Sequence, residues 1–294
     1  MNRLTREQRA NVLQPLCEGM AIRAVARVTG ISKVTILKLL NDAGRALGAY
    51  QDEVFRCLPC RRVQVDEIWS FTYAKQKNVA KAKAAPIECG DTWTWTAICA
   101  DTKLVFSLLV GDRDAYHAQV FMEDVASRLA GRIQLTSDGH KAYLEAVEGA
   151  FGMDVDYAQL VKLYGRPTCT PGRYSPPECI GARRTVIQGK PDLEHASTSY
   201  VERQNLTMRM HMRRFTRLTN GFSKKQENHA NAIALHFAYY NFVRIHRTLR
   251  MTPAMAAGVV DRLWEMADLV DIVEAADRKP NRPANYNKKE RLAA

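Results

Sequence analysis

The sequence lacks the features that mark secreted and membrane proteins. Its most apolar stretch, around residues 104–110, is far too short to span a bilayer. The polar and basic start contains no apolar signal-peptide core. Seven cysteines, an odd number at irregular spacing, do not form the pattern of a disulfide framework. We therefore expect a cytoplasmic protein with no membrane partner.

A complete zinc-ligand pattern is also missing. Cys57 and Cys60 form an isolated C-x-x-C pair, and the other five cysteines are scattered along the chain. A structural zinc site needs four ligands, and no second pair lies nearby. Free thiols are the favoured interpretation, with metal binding by this pair left open.

Negative charge is scarce in this chain. The 43 Lys and Arg residues outnumber the 31 Asp and Glu residues, which gives a net charge of +12. Such an excess favours a polyanionic partner, nucleic acid first, and a nucleoid-associated location. The scarcity is greatest from Arg203 to Gln226, a segment with seven Lys or Arg residues and no acid.

Residues 1–48 have the pattern of an all-α helix-turn-helix domain. Helices are predicted from Thr5, over Ala21–Thr29 and over Ser32–Asn41. The small Ala26 lets two helices approach, Gly30 permits a tight turn, and Ile36 fills the space between the helices. The polar positions of the third helix that would face a DNA major groove are Ser32, Lys33, Thr35 and Lys38. A three-helix interaction bundle is the alternative.

Residues 49–62 are predicted to be a linker, after which strands and helices alternate. Strands are predicted over 63–73, 93–100, 104–110, 132–136 and 155–161, and helices over 115–130, 141–151, 197–215 and 226–244. The Pro- and Gly-rich stretch 165–195 predicts a loop or insertion. This order indicates an α/β fold over 63–258, a ribonuclease-H-like mixed sheet with flanking helices. A C-terminal helix over 259–277 and a flexible basic tail over 278–294 would follow.

Three acids lie where a metal site would form. Asp66 interrupts an apolar strand pattern, where a carboxylate is costly unless it is paired or metal-bound. Asp138 follows a strand, and sites in α/β sheets usually form at the carboxyl ends of strands. Glu202 begins the basic segment. Mg²⁺ prefers carboxylate oxygens, and a pair of these ions promotes phosphodiester cleavage. Taken singly, the three acids also fit a structural hydrogen-bond acceptor, a helix N-cap and a surface ion pair.

The segments around these acids resemble the Asp-Asp-Glu transposases of bacterial insertion sequences, most of all the insertion-sequence-one group. The matching motifs are Asp66-Glu-Ile-Trp-Ser-Phe, Ser137-Asp-Gly-His-Lys-Ala-Tyr, Tyr200-Val-Glu-Arg-Gln-Asn-Leu-Thr-Met-Arg and Arg213-Arg-Phe-Thr-Arg-Leu-Thr-Asn-Gly-Phe-Ser-Lys. The resemblance implies a ribonuclease-H fold, Mg²⁺-dependent cleavage at element ends and strand transfer by a 3′-hydroxyl. It assigns Asp66, Asp138 and Glu202 as catalytic metal ligands, with Mn²⁺ as a substitute for Mg²⁺.

The resemblance also implies double-stranded DNA as the partner, both the terminal inverted repeats of the element and the target DNA. Pairing of two ends favours a homodimer or higher oligomer on DNA. Arg209 matches a basic position that steadies DNA in this family, and Asn205 lies on the same helical face. The predicted DNA contacts of the basic segment are Asn205, Arg209, Arg213, Arg214, Arg217 and Lys224.

Several alternatives remain open from the sequence. The 63 residues between Asp138 and Glu202 leave Glu178 or Glu194 as substitutes for the third acid. A further motif, His211-Met-Arg-Arg followed by Tyr239 or Tyr240, resembles tyrosine recombinases, which use a covalent tyrosine intermediate. The β-rich pattern of 63–110 conflicts with that class. A non-catalytic DNA-binding protein, either a regulator or a domesticated transposase, is the other alternative.

Overall fold

A six-stranded mixed sheet forms the centre of the computed structural model, which describes residues 3–165, 179–216 and 219–277. The strands are β1 Arg62–Thr72, β2 Gly90–Cys99, β3 Val105–Gly111, β4 Ile133–Ser137, β5 Val155–Tyr164 and β6 Cys179–Gln188. Their order is β3-β2-β1-β4-β5-β6. Strand β2 is antiparallel to both β1 and β3, β4 is parallel to β1 and β5, and β6 is antiparallel to β5. This arrangement is consistent with the predicted ribonuclease-H-like fold.

Ten α-helices are assigned in the described residues. They are α1 Arg6–Cys17, α2 Ile22–Thr29, α3 Lys33–Val54, α4 Gln76–Val79, α5 Ala115–Ser127, α6 Ala142–Phe151, α7 Ser199–His211, α8 Gln226–Ala238, α9 Pro253–Ala256 and α10 Met266–Ala276. A 3₁₀ turn at Arg213–Phe215 follows α7, and a π-turn at Tyr239–Val243 follows α8. None of the helices in these described ranges is both long and apolar enough to cross a bilayer.

Aromatic side chains fill the core on two sides of the sheet. Trp95 of β2 is fully buried and packs against Phe121 of α5 and Tyr143 of α6. Elsewhere, Phe55 stacks on Phe242 at a centroid distance of 5.7 Å, next to the π-turn. These clusters fix the helices on the sheet, because burial of large apolar side chains is the main favourable term in folding.

The first three helices contain two of the residues on which the helix-turn-helix prediction rests. Gly30 ends α2 in the left-handed region at φ 71°, which favours glycine because it has no Cβ. Ile36 is completely buried. These contacts define the packing of the helices, and DNA recognition by them stays a prediction.

Helix α3 does not end at Asn41 as predicted. It continues to Val54, so the first part of the predicted 49–62 linker is helical. The physical reason is tertiary packing: Leu47 is fully buried, and a Cβ at Gly44 would lie only 2.2 Å from the Asn231 carbonyl oxygen of α8. The glycine that weakens the helix signal is required for this close approach.

Two further predictions of structure were wrong. The 165–195 loop contains β6, which pairs with the edge of the sheet, and the predicted single helix over 259–277 begins only at Met266. Glu265 caps α10 through the Asp268 backbone N–H, so the helix begins at that capping box. The predicted basic tail, 278–294, lies outside the described residues.

Candidate active site

Asp66 lies on β1, and Asp138 directly follows β4, the parallel neighbour of β1. Gln64 of β1 is in register with Thr136 of β4, so the same register carried two residues further places Asp66 beside Asp138. Both carboxylates stand at the edge of the sheet where β4 ends. Asp66 is half-buried, and the Asp138 side chain is 40% exposed. Asp138 caps no helix; its Oδ1 accepts a hydrogen bond from the His140 backbone N–H at 2.9 Å.

The side chain of Gln64 fixes helix α7 on β1. Its Oε1 accepts hydrogen bonds from the backbone N–H groups of Tyr200 at 2.8 Å and Val201 at 3.2 Å. These groups belong to the first turn of α7, whose N-cap residue, Thr198, makes no capping hydrogen bond with its side chain. Glu202 in the same turn is thereby held over the face of β1 that carries Asp66.

Glu202 and Asn205 make the contacts of α7 within the site. Glu202 Oε1 accepts a hydrogen bond from Thr198 Oγ1 at 2.7 Å, and its Oε2 is bound by the Lys162 ammonium from β5. Although burial lowers the pKa of Lys162, the hydrogen bond to Glu202 raises it overall. One turn further along α7, Asn205 Nδ2 donates to Asp66 Oδ2 at 2.7 Å.

The site surrounds Asp66 with other acidic side chains. Burial is the largest cause that raises the pKa of Asp66 to about 7. The charges of Glu67, Asp138 and Glu202 act in the same direction, against a hydrogen bond from the Glu67 backbone N–H. The charges of both other predicted acids, Asp138 and Glu202, therefore act on the Asp66 carboxylate. A bound cation would oppose each of these causes, so the donor set fits a divalent metal.

A more compact group of ligand atoms lies in the loop after β3. Asp112, Asp114 and His117 have ligand atoms within 4.8 Å of one another, a spacing that the three predicted acids do not meet among themselves. This cluster has the donor atoms of a divalent-metal site and was missed from the sequence, where its signal is D-x-D-x-x-H. Asp114 also caps α5, and its Oδ1 contacts His117 Nδ1 at 2.7 Å. Capping thus explains the proximity of two of the three members without an ion.

A fourth acid, Glu67, is buried next to Asp66 on β1, and it was not identified from the sequence. Its side chain is almost completely buried, and it accepts hydrogen bonds from Arg113 Nε at 2.5 Å and from the Tyr143 hydroxyl at 2.9 Å. A second Arg113 nitrogen lies 4.0 Å from Asp138 Oδ2. Arg113 therefore connects the buried acid to a predicted metal ligand. Burial and the neighbouring acids raise the pKa of Tyr143 well above its ordinary value.

Most of the predicted DNA contacts in the described residues have accessible side chains. Those of α3 and its N-cap, which are Ser32, Lys33, Thr35 and Lys38, are all exposed. In the basic segment, Arg213 and Lys224 are exposed and Arg209 is half-buried. Arg217 lies outside the described residues. Contact with DNA remains a prediction for all of them.

Two predicted DNA contacts face the protein instead. Asn205 is 9% exposed, and its amide is bound to Asp66. Arg214 Nε donates to Ser223 Oγ at 2.7 Å, and burial lowers the pKa of Arg214 to about 10. For Arg214 the physical reason is that α7 ends at His211 with Met212 extended, so the predicted helical face does not continue to residue 215. Asn205 lies within α7, on the side that faces Asp66.

The substitutes considered for Glu202 gain no support. Glu194 is exposed in the loop after β6, where its backbone N–H donates to Asp192 Oδ1 at 2.9 Å. The charge of Glu202 is one of the causes that raise the pKa of Asp66, whereas Glu194 is not among those causes. Glu178 lies outside the described residues.

Tyr239 and Tyr240, the candidate nucleophiles of the recombinase alternative, are buried, and both hydroxyls are hydrogen-bonded. The Tyr239 hydroxyl donates to Glu18 Oε1 at 2.5 Å, and the Tyr240 hydroxyl donates to the Lys103 carbonyl oxygen at 3.1 Å. Burial raises the pKa of both phenols. Neither group has the accessible, activated oxygen that a covalent mechanism needs.

Comparison with known proteins finds only distant structural similarity. No known family profile matches the chain, and no curated protein matches it. Among solved structures, the chain is similar to a piggyBac transposase in a cryo-EM synaptic complex with hairpin DNA, at 10% identity and a TM-score of 0.35. The match covers 95% of this chain and 74% of that one. A likeness at this level does not assign the chain to a class of protein, and the insertion-sequence-one group stays a prediction.

Proposed function

We propose that this chain is a Mg²⁺-dependent DNA transposase that binds insertion-sequence ends and catalyses strand cleavage and strand transfer. One observation supports the proposal: the pairing of β1 with β4 and the hydrogen bonds of α7 to Gln64 and Asp66 bring three predicted acids to one end of the sheet. The charges of Asp138, after β4, and Glu202, on α7, both raise the pKa of the half-buried Asp66 on β1. Neighbouring half-buried carboxylates cost folding free energy unless a cation neutralises them, so this arrangement favours a cation site over a purely structural role.

Asp66, Asp138 and Glu202 would hold the Mg²⁺, and Mn²⁺ would substitute for it. When bound, the metal would activate the attacking hydroxyl and stabilise the leaving oxygen of the phosphodiester. Asn205 fixes the orientation of the Asp66 carboxylate through its 2.7 Å hydrogen bond. Lys162 neutralises Glu202 in the metal-free protein, since its ammonium occupies Oε2.

Two groups of exposed residues would contact double-stranded DNA. The start of α3 would enter the major groove of the terminal inverted repeats and read their sequence. The exposed cations after α7, among them Arg213 and Lys224, would hold phosphates of element and target DNA without reading bases. Pairing of two ends would require a homodimer or higher oligomer on DNA.

The test is cleavage of duplexes that carry the inverted repeats flanking this gene, with Mg²⁺ present. We expect Asp66→Asn, Asp138→Asn and Glu202→Gln to abolish cleavage while binding of the duplex in EDTA persists. Glu194→Gln serves as a matched control and should cut like the wild type. Undiminished cleavage by any of the three variants would remove that residue from the site.

A non-catalytic DNA-binding protein is the second candidate. The ion pair between Lys162 and Glu202 and the wide spacing of the three acids favour it. Such a protein would bind the repeats in EDTA and would leave them uncut with either Mg²⁺ or Mn²⁺. Metal-dependent cutting that the acid variants lack would exclude this candidate.

A further inference from the structure

A cationic pocket lies on the opposite side of α7 from the three acids. Its volume is about 210 Å³, and three separate segments line it: α7, the turn between β2 and β3, and the residues after the π-turn. Its cations are Lys103, Arg203, Arg244 and Arg247. We refer to it as the α7 pocket.

The positive charge of the α7 pocket is not neutralised by the protein. In the part of the chain that the structure describes, none of its four cations lies within 4.0 Å of a carboxylate oxygen. Arg244 instead contacts His211 Nε2 at 2.9 Å. Burial lowers the pKa of His246, and the nearby charges of Lys103 and Arg244 lower it further. Three arginines beside a buried lysine, with no acid in the described residues to pair with them, predict an anionic ligand that the arginines would bind.

An aromatic ring stands among these cations. The Lys103 ammonium lies 3.3 Å from the centroid of the Tyr200 ring, yet the Tyr200 residue is still 43% exposed. Lys103 itself is only 8% exposed: its ammonium donates to the Ala100 carbonyl oxygen, and its own carbonyl oxygen accepts the Tyr240 hydroxyl. The lysine is therefore held in place beside the ring. A fixed aromatic surface next to phosphate-binding cations is the combination that binds unpaired nucleotides, by stacking and charge together.

The two sides of α7 carry different residues. Arg203 and Thr207 line the α7 pocket together with Tyr200. Glu202 and Asn205 face the acid site, as their hydrogen bonds show. A ligand in the pocket would therefore not occupy the place of the metal.

We propose that the α7 pocket binds one unpaired nucleotide of a DNA strand, its phosphate on the cations and its base on Tyr200. The proposal rests on the proposed function, because an enzyme that breaks strands at DNA ends exposes unpaired nucleotides there. A base within a duplex is stacked between its neighbours and does not offer its face to Tyr200.

The test measures binding of a fluorescently labelled single-stranded DNA oligonucleotide in EDTA over a range of salt concentrations. Arg203→Ala with Arg247→Ala should weaken binding and lower the slope of log K against log salt by about 0.7, the value for the one phosphate that is no longer neutralised. Tyr200→Ala should weaken binding at least about fivefold, the lower end of base–aromatic stacking, whereas Tyr200→Phe should not.

A matched control replaces two exposed cations outside the pocket, Lys81→Ala with Arg183→Ala, and should bind like the wild type. Asp66→Asn should also bind normally, so loss of catalysis and loss of the pocket are distinguishable. Circular dichroism verifies folding of each variant.

Three results would overturn the proposal. One is wild-type affinity of the double arginine variant for single strands. Another is an unchanged Tyr200→Ala affinity with competition by inorganic phosphate, which would mean a simple anion site. The third is an equal loss of affinity for duplex and single-stranded DNA, which would mean a general interaction with the backbone.

Discussion

The raised pKa of Asp66 makes folding stability depend on pH in a predictable direction. Its carboxyl titrates at about 7 in the folded protein, against an ordinary value of 3.8. Between these values the folded state binds more protons than the unfolded state, so stability falls as pH rises. The contribution of this group is fully present below about pH 4 and is lost as pH rises through 7.

The size of the effect follows from the pKa values. Each pKa unit corresponds to about 1.4 kcal/mol, so a rise from 3.8 to about 7 gives roughly 4 kcal/mol as an upper limit. Asp66→Asn removes the titration. The difference in unfolding free energy between Asp66→Asn and wild type should therefore increase by up to that amount between pH 4 and pH 8.

Urea denaturation in EDTA at several pH values, followed by circular dichroism, measures this difference. Glu194→Gln is the control for loss of an exposed carboxylate. At pH 8, Mg²⁺ at a hundredfold excess over its Kd should stabilise the wild type by about 2.7 kcal/mol and leave Asp66→Asn unchanged. A difference between variant and wild type that stays constant over the whole pH range would refute the reasoning.

Three further predictions concern the neighbours of the acids. Asn205→Ala should lower cleavage about tenfold or more with unchanged DNA affinity, because it removes a hydrogen bond to a charged group; weaker DNA binding with normal cleavage would contradict this. Lys162→Ala should raise Mg²⁺ affinity up to about fivefold by freeing Glu202 of a partly exposed ion pair, and calorimetry showing weaker binding would refute it. Arg214→Met should change the unfolding free energy but not the salt dependence of DNA binding. Exposed Arg213→Ala should change the salt dependence but not the unfolding free energy. Equal salt slopes for both variants would refute the distinction.

The central sheet was predictable because its inner strands carry a strong apolar pattern. Strand β1 buries Val63, Val65 and Ile68, and a pattern of that strength is visible in the sequence. Strand β6 lies at the edge, and nearly all of its residues are exposed. Its position follows from pairing with β5, which no local pattern reveals. The true end of α3 was hidden for a related reason, since Gly44 weakens the helix signal and serves the contact with α8.

Each of the three acids stands in a distinctive local motif, so the sequence alone singles it out as a candidate. The groups that hold them were not predictable, because their contacts join distant parts of the chain. Gln64 reaches the start of α7, and Lys162 reaches Glu202 across 40 residues. Arg113 reaches Glu67 and Asp138 from the loop after β3. Charge alone assigned Arg214 to DNA, and only the end of α7 at His211 shows why its side chain faces the protein.

The central claim is that Asp66, Asp138 and Glu202 hold the divalent metal. Anomalous diffraction from crystals soaked in Mn²⁺ tests it most directly, because it locates the ion without reference to activity. We predict a peak bounded by Asp66 and Asp138 that disappears in Asp66→Asn. A peak only at Asp112, Asp114 and His117, unchanged in that variant, would contradict the account.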